Sequence, residues 1–331
     1  MFRWANLSSS SDQRRAQNSV TLRKSTMCKI IGLIAILPAL LVAQYNRPGS
    51  TDAQFLKIGV SPRGTGMSDA YIAAVSGAEA TYYNSAALPL MRETDVVFNH
   101  TMWFAGINHE FFAAAHNFGD LGAFGISMTG LYTDEMKVRT PLQPEGTGET
   151  FYAANYRFGL SYARHLTDRV TFGTTISYIT MSLYSTFSAR AFSIDIATLY
   201  VSDFHGFRFG MQIGNFGSNV QYVNESYPLP TNFTFGLGIN AIDGENQKLW
   251  VSGAAVKPNE GQPLAQVGTE WNYQDTFFLR AGYRLNYSVA TYSFGGGVQF
   301  AVVGYRIRAD YSYSKFLLLG GAHRFGLGLS F

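Results

Sequence analysis

Residues 323–331 constrain the fold more than any other stretch. Phe325, Leu327, Leu329 and Phe331 alternate with Arg324, Gly326, Gly328 and Ser330. A period of two places all four large side chains on one face of a β-strand. A strand so apolar on one side needs a sheet or lipid against it. The same period recurs upstream. Tyr152, Ala154, Tyr156, Phe158, Leu160 and Tyr162 alternate with Asn155, Arg157, Gly159 and Ser161, and Phe233, Phe235, Leu237 and Ile239 with Thr234, Gly236, Gly238 and Asn240. Tyr305, Ile307, Ala309, Tyr311 and Tyr313 alternate with Arg306, Arg308, Asp310 and Ser312.

Composition narrows what covers those faces. The 331 residues include 26 Phe, 20 Tyr and 34 Gly, and only 14% are charged, whereas soluble domains carry about 25%. Mean hydropathy is near zero, as expected when lipid-facing and lumen-facing residues alternate. After residue 43 no run of eighteen apolar residues occurs, so no spanning helix is predicted. Outer-membrane lipid is therefore the expected partner of the apolar faces. Phe325, Leu327, Leu329 and Phe331 resemble the terminal insertion signal handled by the barrel assembly machinery.

Residues 1–43 hold six of the 25 Lys and Arg and one of the 22 Asp and Glu, which leaves 19 minus 21, about −2, for the rest. No basic stripe remains for nucleic acid. The apolar run 30–42 follows Arg23, Lys24 and Lys29 and ends before Ala43. It reads as a secretory signal peptide cleaved after Ala43, with Met27 as an alternative start. That implies Sec-dependent export and residence in the outer membrane of a Gram-negative-type bacterium. Cys28, the only cysteine, precedes the apolar run, so neither a disulfide nor a thiolate metal site is expected in the mature chain.

Residues 95–331 read as about fourteen antiparallel strands forming an all-β transmembrane barrel. With both ends periplasmic, even-numbered links should be short turns. The links 119–120, 166–169, 202–207, 243–247, 273–276 and 303–304 fit, and the longest links, 134–150 and 218–230, are both odd-numbered and outward. Residues 44–94 lack the alternation. The Ala-rich stretches 68–75 and 78–88 are predicted as two short helices around Gly77. A partly helical segment of this size suits a plug, because fourteen strands leave a lumen that side chains alone do not fill.

The plug carries a family resemblance. Phe55-Leu56-Lys57-Ile58-Gly59-Val60, Arg63-Gly64-Thr65-Gly66-Met67-Ser68-Asp69-Ala70 and Tyr82-Tyr83-Asn84-Ser85-Ala86-Ala87-Leu88 resemble the start of the PorV/PorQ family, within the FadL-like superfamily of fourteen-stranded outer-membrane barrels. The loop from Asp134 to Gly148 and the ending His323-Arg324-Phe325 resemble it too. In the superfamily the plug usually reads Asn-Pro-Ala, and Ser85 replaces that proline here. The resemblance implies a component of type IX secretion that accepts cargo protein at the cell surface and passes it to the translocon or a sortase complex, without catalysis. The alternatives are a FadL-type channel for long-chain fatty acids or hydrocarbons, and a purely structural barrel. The channel reading predicts apolar residues on the lumen face near the plug and a kink in an early strand, which Gly122, Gly125 and Gly130 in the third strand would permit.

Particular residues follow from these readings. Asn84, Ser85, Ala86 and Asp69 mark the plug motif, with the Asn84 amide expected to satisfy backbone groups where plug meets wall. Glu135, Lys137, Arg139 and Glu145 are candidates for partner binding on the long outer loop. Glu270, Arg280, Arg284, Arg306, Arg308 and Asp310 form an inward charge cluster, read either as a ligand path or as an ion-pair lattice that holds the plug. Arg157, Arg190 and Asp195 are expected to pack in the lumen. Tyr152, Tyr162, Trp250, Trp271 and Tyr283 are expected in aromatic bands at the lipid interface. The histidines at 100, 109, 116, 165, 205 and 323 lack metal-ligand spacing, and no nucleophile elbow or phosphate loop appears. No cofactor, metal or catalytic residue is therefore expected.

Overall fold

The computed structural model describes residues 47–331 except 185, 186, 288 and 318; the expected export signal lies outside these. Fourteen strands close into one antiparallel barrel. In chain order they are β1 (Thr94–Met102), β2 (Ile107–Asn117), β3 (Ala123–Thr133), β4 (Ala154–His165), β5 (Val170–Tyr184), β6 (Phe187–Val201) and β7 (Arg208–Gly217). The second half comprises β8 (Asn232–Asp243), β9 (Gln247–Pro258), β10 (Leu264–Tyr273), β11 (Phe277–Leu285), β12 (Ala290–Val302), β13 (Tyr305–Phe316) and β14 (Gly320–Ser330). Every strand pairs with its sequence neighbours, and β14 closes on β1 from Asp95↔Ser330 to Met102↔His323. Closure leaves no open sheet edge in lipid, where unpaired backbone groups would be costly.

The alternation sorts the two faces. Leu160, Ile176, Leu279 and Leu327 stand more than half exposed on the outside, while Ser161, Ser177, Arg280 and Arg324 are buried within. Phe325, Leu327, Leu329 and Phe331 all lie exposed along the closing seam, so that seam presents its apolar side outward.

Two residues break the expected assignment. Arg190 stands exposed between buried Ala189 and Ala191, so it lies on the outer face rather than in the lumen. Its parity is opposite to that of inward Asp195. Trp250 shares its face with buried Ser252 and Ala254, and Gly238 on β8 leaves room for its indole, which a Cβ there would meet at 2.3 Å. It therefore faces the lumen and not the lipid band. Tyr152 and Tyr283 are exposed, and Trp271 and Tyr162 are half-buried on the outer face.

The third strand shows no register shift. β3 keeps unbroken register with β2 over Ala123–Asn117 through Thr133–Ile107 and with β4 from Ala123↔Ala163 to Tyr132↔Ala154. The wall is irregular elsewhere, between Ile194 and Ile196 where β6 meets β7. There Asn215 adopts a left-handed φ of 56° and donates its backbone N–H to Asp195 Oδ1 at 2.6 Å. That is the geometry of a bulge, which inserts an unpaired residue and bends the strand.

Residues 51–91 fill the lumen as short helical pieces: Gln54–Lys57, Pro62–Gly66, Gly77–Glu79, Ala80–Tyr83 and Ser85–Leu90. The helix expected over 68–75 is absent. A helix forms earlier, capped by the Ser61 side chain accepting from Gly64 N–H, with Pro62 at its first position. It ends because Ser68 and Asp69 turn left-handed, at φ 55° and 63°, and Asp69 N–H returns to Gly64 O. The helix expected over 78–88 is broken at Asn84, which is extended and accepts from Ala86 N–H.

Candidate functional site

The wall admits the plug through glycines on its inner face. A Cβ on Gly282 would meet Met67 C at 2.3 Å, and one on Gly268 would meet Met67 O at 2.5 Å. On Gly173 it would meet Ala86 N at 2.5 Å and on Gly125 Thr81 Cγ2 at 2.6 Å. Bare backbone on these strands thus lets backbone of the plug come into contact. At the start of β1, Asp95 accepts from Ala78 N–H and from Ser330 Oγ, each at 2.6 Å. One carboxylate so ties plug, first strand and last strand together.

The plug divides the lumen into two chambers with no lining residue in common. The one at the short-turn end has a volume of about 850 Å³, and charge dominates it. Arg63, from the plug helix, donates to Glu270 through Nε at 2.8 Å and Nη2 at 2.7 Å. Arg280 Nε donates to the same carboxylate at 2.6 Å, and its Nη1 to Asp310 Oδ1 at 2.6 Å. Arg308 completes the chain at 2.9 Å from Asp310. Gly297, directly opposite Asp310, leaves room for this pairing, since a Cβ there would sit 2.2 Å from Asp310 Oδ1. The arrangement is an ion-pair lattice with Glu270 as its junction to the plug. Fork geometry lets each guanidinium bind bidentately or bridge two carboxylates.

Two members of the predicted cluster stand apart. Arg284 lies at the other chamber, where it binds Asp69 of the plug and donates from Nε to Ser68 O at 3.3 Å. Arg306 is exposed at the rim of the larger chamber, outside the lattice. Sequence reasoning missed Arg63, the plug's half of the junction. The available signal was a guanidinium inside an otherwise small, apolar stretch. Asn84, fully buried, donates from Nδ2 to Ile72 O at 3.0 Å and Thr198 O at 3.4 Å, so its amide satisfies plug and wall backbone as expected. Ser85 and Ala86 rest in the space above Gly173.

The long-loop chamber measures about 460 Å³. Arg157 and Asp195 pair across its wall, both buried, with the Arg157 guanidinium 5.4 Å from the Tyr82 ring centroid. At the rim Glu260, between β9 and β10, accepts from Ser50 N–H at 3.0 Å, Thr51 N–H at 3.2 Å, Gln54 Nε2 at 2.8 Å and Lys57 Nζ. Burial pushes its carboxyl up, but the hydrogen bonds from Lys57, Thr51 and Gln54 outweigh this and hold its pKa at about 2. Glu260 was not foreseen, because its partners lie 203 to 210 residues away.

Beyond the chamber, residues 134–153 form a projecting loop stiffened by a two-residue ribbon, Met136–Lys137 with Thr150–Phe151. Glu135, Lys137, Arg139 and Glu145 are all exposed on it, and Glu135 accepts from Thr150 Oγ1 at 2.5 Å.

An apolar, closed antiparallel wall around an interlocked plug defines an outer-membrane β-barrel protein. The family model of the type IX secretion system protein PorV matches residues 42–257, and the chain belongs to that family. The match ends within β9, so the strands carrying Glu270, Arg280 and Asp310 lie beyond it. Among solved structures, the Ralstonia pickettii toluene transporter TbuX aligns with a TM-score of 0.55 at 15% identity, over 82% of this chain and 97% of that one. The monoaromatic hydrocarbon channel CymD aligns with a TM-score of 0.55 at 11% identity, over 82% and 96%. A Pseudomonas aeruginosa FadL homologue gives 0.50 at 11% identity, over 82% and 97%. At such identities the likeness is one of fold. A comparison with curated proteins returned no match.

Proposed function

We propose that this barrel serves type IX secretion as a closed, surface-facing adaptor that holds cargo protein through its long loops and hands it on to the translocon or a sortase. Membership of the PorV family carries this reading. Two features support it. The plug is pinned to the wall by Glu270, Asp95 and Glu260, which suits a scaffold better than an open conduit. The loop 134–153 offers Glu135, Lys137, Arg139 and Glu145 to water, a mixed-charge surface fitted to a polar protein partner. Deletion of residues 137–147 tests it. The barrel should still reach the outer membrane at normal level, while cargo fails to be attached at the surface. Normal cargo attachment in that strain would refute the loop's role.

A second reading is uptake of hydrophobic small molecules. The long-loop chamber, with Ile72, Trp103, Val256 and Phe316 among its lining residues, favours it, as does the fold shared with a toluene transporter. Vesicles containing the purified barrel should then accumulate toluene or a long-chain fatty acid faster than empty ones. Equal rates would exclude this reading.

A further inference from the structure

We infer that the long-loop chamber binds an oxyanion headgroup, carboxylate or phosphate, against Arg324. Four cationic and three anionic side chains line that chamber. Lys57 pairs with Glu260, Arg284 with Asp69 and Arg157 with Asp195. Arg324 is left over. It is 1% exposed, yet its contacts are Ser314 Oγ, 3.1 Å from Nη1, and the Trp103 ring, with its centroid 5.3 Å from Cζ. Its Nε has no hydrogen-bond partner among the described residues. A cation buried this far from water is stabilised only by an opposite charge with matching geometry, and the carboxylate whose charge reaches it, Asp69, is already paired with Arg284.

The neighbours of Arg324 carry the same signature. Thr101 on β1 lies directly opposite Arg324, and His109 on β2 lies directly opposite Thr101. Both are 1% exposed and face inward. Thr101 Oγ1 and both ring nitrogens of His109 also lack partners among the described residues. Directly opposed residues on adjacent strands stand about 5 Å apart, so three polar side chains with unmet hydrogen-bonding capacity form one row along the wall. Buried polar groups are almost always satisfied, and three failures in one row mark an absent partner at Arg324, the member of the row that lines the chamber. That partner is anionic because the row contains a fixed cation and lacks a carboxylate. A metal ion would be repelled, and an uncharged ligand would leave the guanidinium uncompensated. Carboxylate and phosphate both accept from a guanidinium through two oxygens and retain capacity for a hydroxyl or imidazole N–H. Trp103 and Phe316, whose ring centroids are 5.0 Å apart, line the chamber beside the row and would meet an apolar body attached to such a headgroup. The inference does not depend on what the outer loops bind.

Isothermal titration of the full barrel in neutral detergent tests it, with inorganic phosphate, acetate, hexanoate and uncharged hexanol as titrants. At least one anion should bind saturably, and Arg324→Gln should weaken it at least tenfold. Hexanol should give no heat that depends on Arg324. Equal affinity for acetate and hexanoate would support a site that reads the headgroup alone, as for a free anion. Tighter hexanoate binding would support an amphiphile whose body rests on Trp103 and Phe316. Absence of saturable anion binding, or unchanged affinity in Arg324→Gln, would overturn the inference. Should Arg324→Gln fail to fold, judged by loss of heat-modifiable migration on gels, Arg324→Lys takes its place. It keeps the charge but loses the planar fork, so it should weaken anion binding several-fold, and wild-type affinity would overturn the inference equally.

Discussion

Single side chains decide whether the plug stays seated. Glu270 takes three hydrogen bonds from Arg63 and Arg280. Glu270→Gln keeps the shape and removes the charge, leaving Arg63 without its paired carboxylate and Arg280 and Arg308 to share Asp310. Breaking a buried ion pair from one side costs about 3–5 kcal/mol, so the urea midpoint of the variant should fall accordingly, and an unchanged midpoint would show the lattice to be dispensable. Glu260 acts at the opposite rim with a pH signature. Its folded pKa lies near 2, below the ordinary 4.5. The stabilisation it provides is therefore complete above about pH 4.5 and is lost as pH falls towards 2. Hydrogen exchange at Ser50 and Thr51 should accelerate across that window, and Glu260→Gln should exchange fast even at neutral pH.

At the level of elements, the plug and the strands are matched backbone to backbone. Gly282 on β11 brings its Cα against Met67, and Gly282→Val would drive a side chain into the plug's main chain. Overpacking of this kind costs about 1–3 kcal/mol. Limited proteolysis should then cut within residues 47–91 while the strands stay protected. Gly296→Ala, whose new Cβ would find nothing closer than 3.6 Å, should behave as wild type. The family's Asn-Pro-Ala offers the converse test. Ser85 occupies the first position of its short helix behind extended Asn84, where proline is well tolerated, and its buried hydroxyl has no partner among the described residues. Ser85→Pro should therefore stabilise the barrel, by about 0.4–1 kcal/mol from reduced unfolded-state entropy, read as a higher melting temperature. A loss of stability would mean that the wall near Gly173 cannot accept the ring.

At the scale of the whole molecule, lipid is the solvent of the outer wall. Leu327 is 62% exposed near the middle of β14. Leu327→Arg should cost about 2–4 kcal/mol if that position lies at the bilayer midplane, seen as a reduced yield of folded barrel in vesicles. The strand parity behind this prediction was legible in residues alone: Glu270, Arg280, Arg308 and Asp310 all read as inward, and the fourteen strands read nearly in place. Where residue type was allowed to overrule parity, the reading failed. The aromatic ring of Trp250 suggests lipid, although Ser252 and Ala254 mark its face as interior. The charge of Arg190 suggests the lumen, although buried Ala189 and Ala191 mark the opposite parity.

Local alternation, set by the two-residue repeat of a pleated strand, sufficed to determine that the strands form an antiparallel barrel. Only the tertiary structure decided which groups meet inside it. Arg63 finds Glu270 across 207 residues of chain and Ser50 finds Glu260 across 210, separations over which no periodic signal extends. Arg324 likewise emerged as a cation with no carboxylate of its own, Asp69 being paired with Arg284, only when closure set β14 beside β1. The lumen is a meeting of distant segments, and charge pairing there depends on ångström distances that barrel closure and plug seating jointly fix.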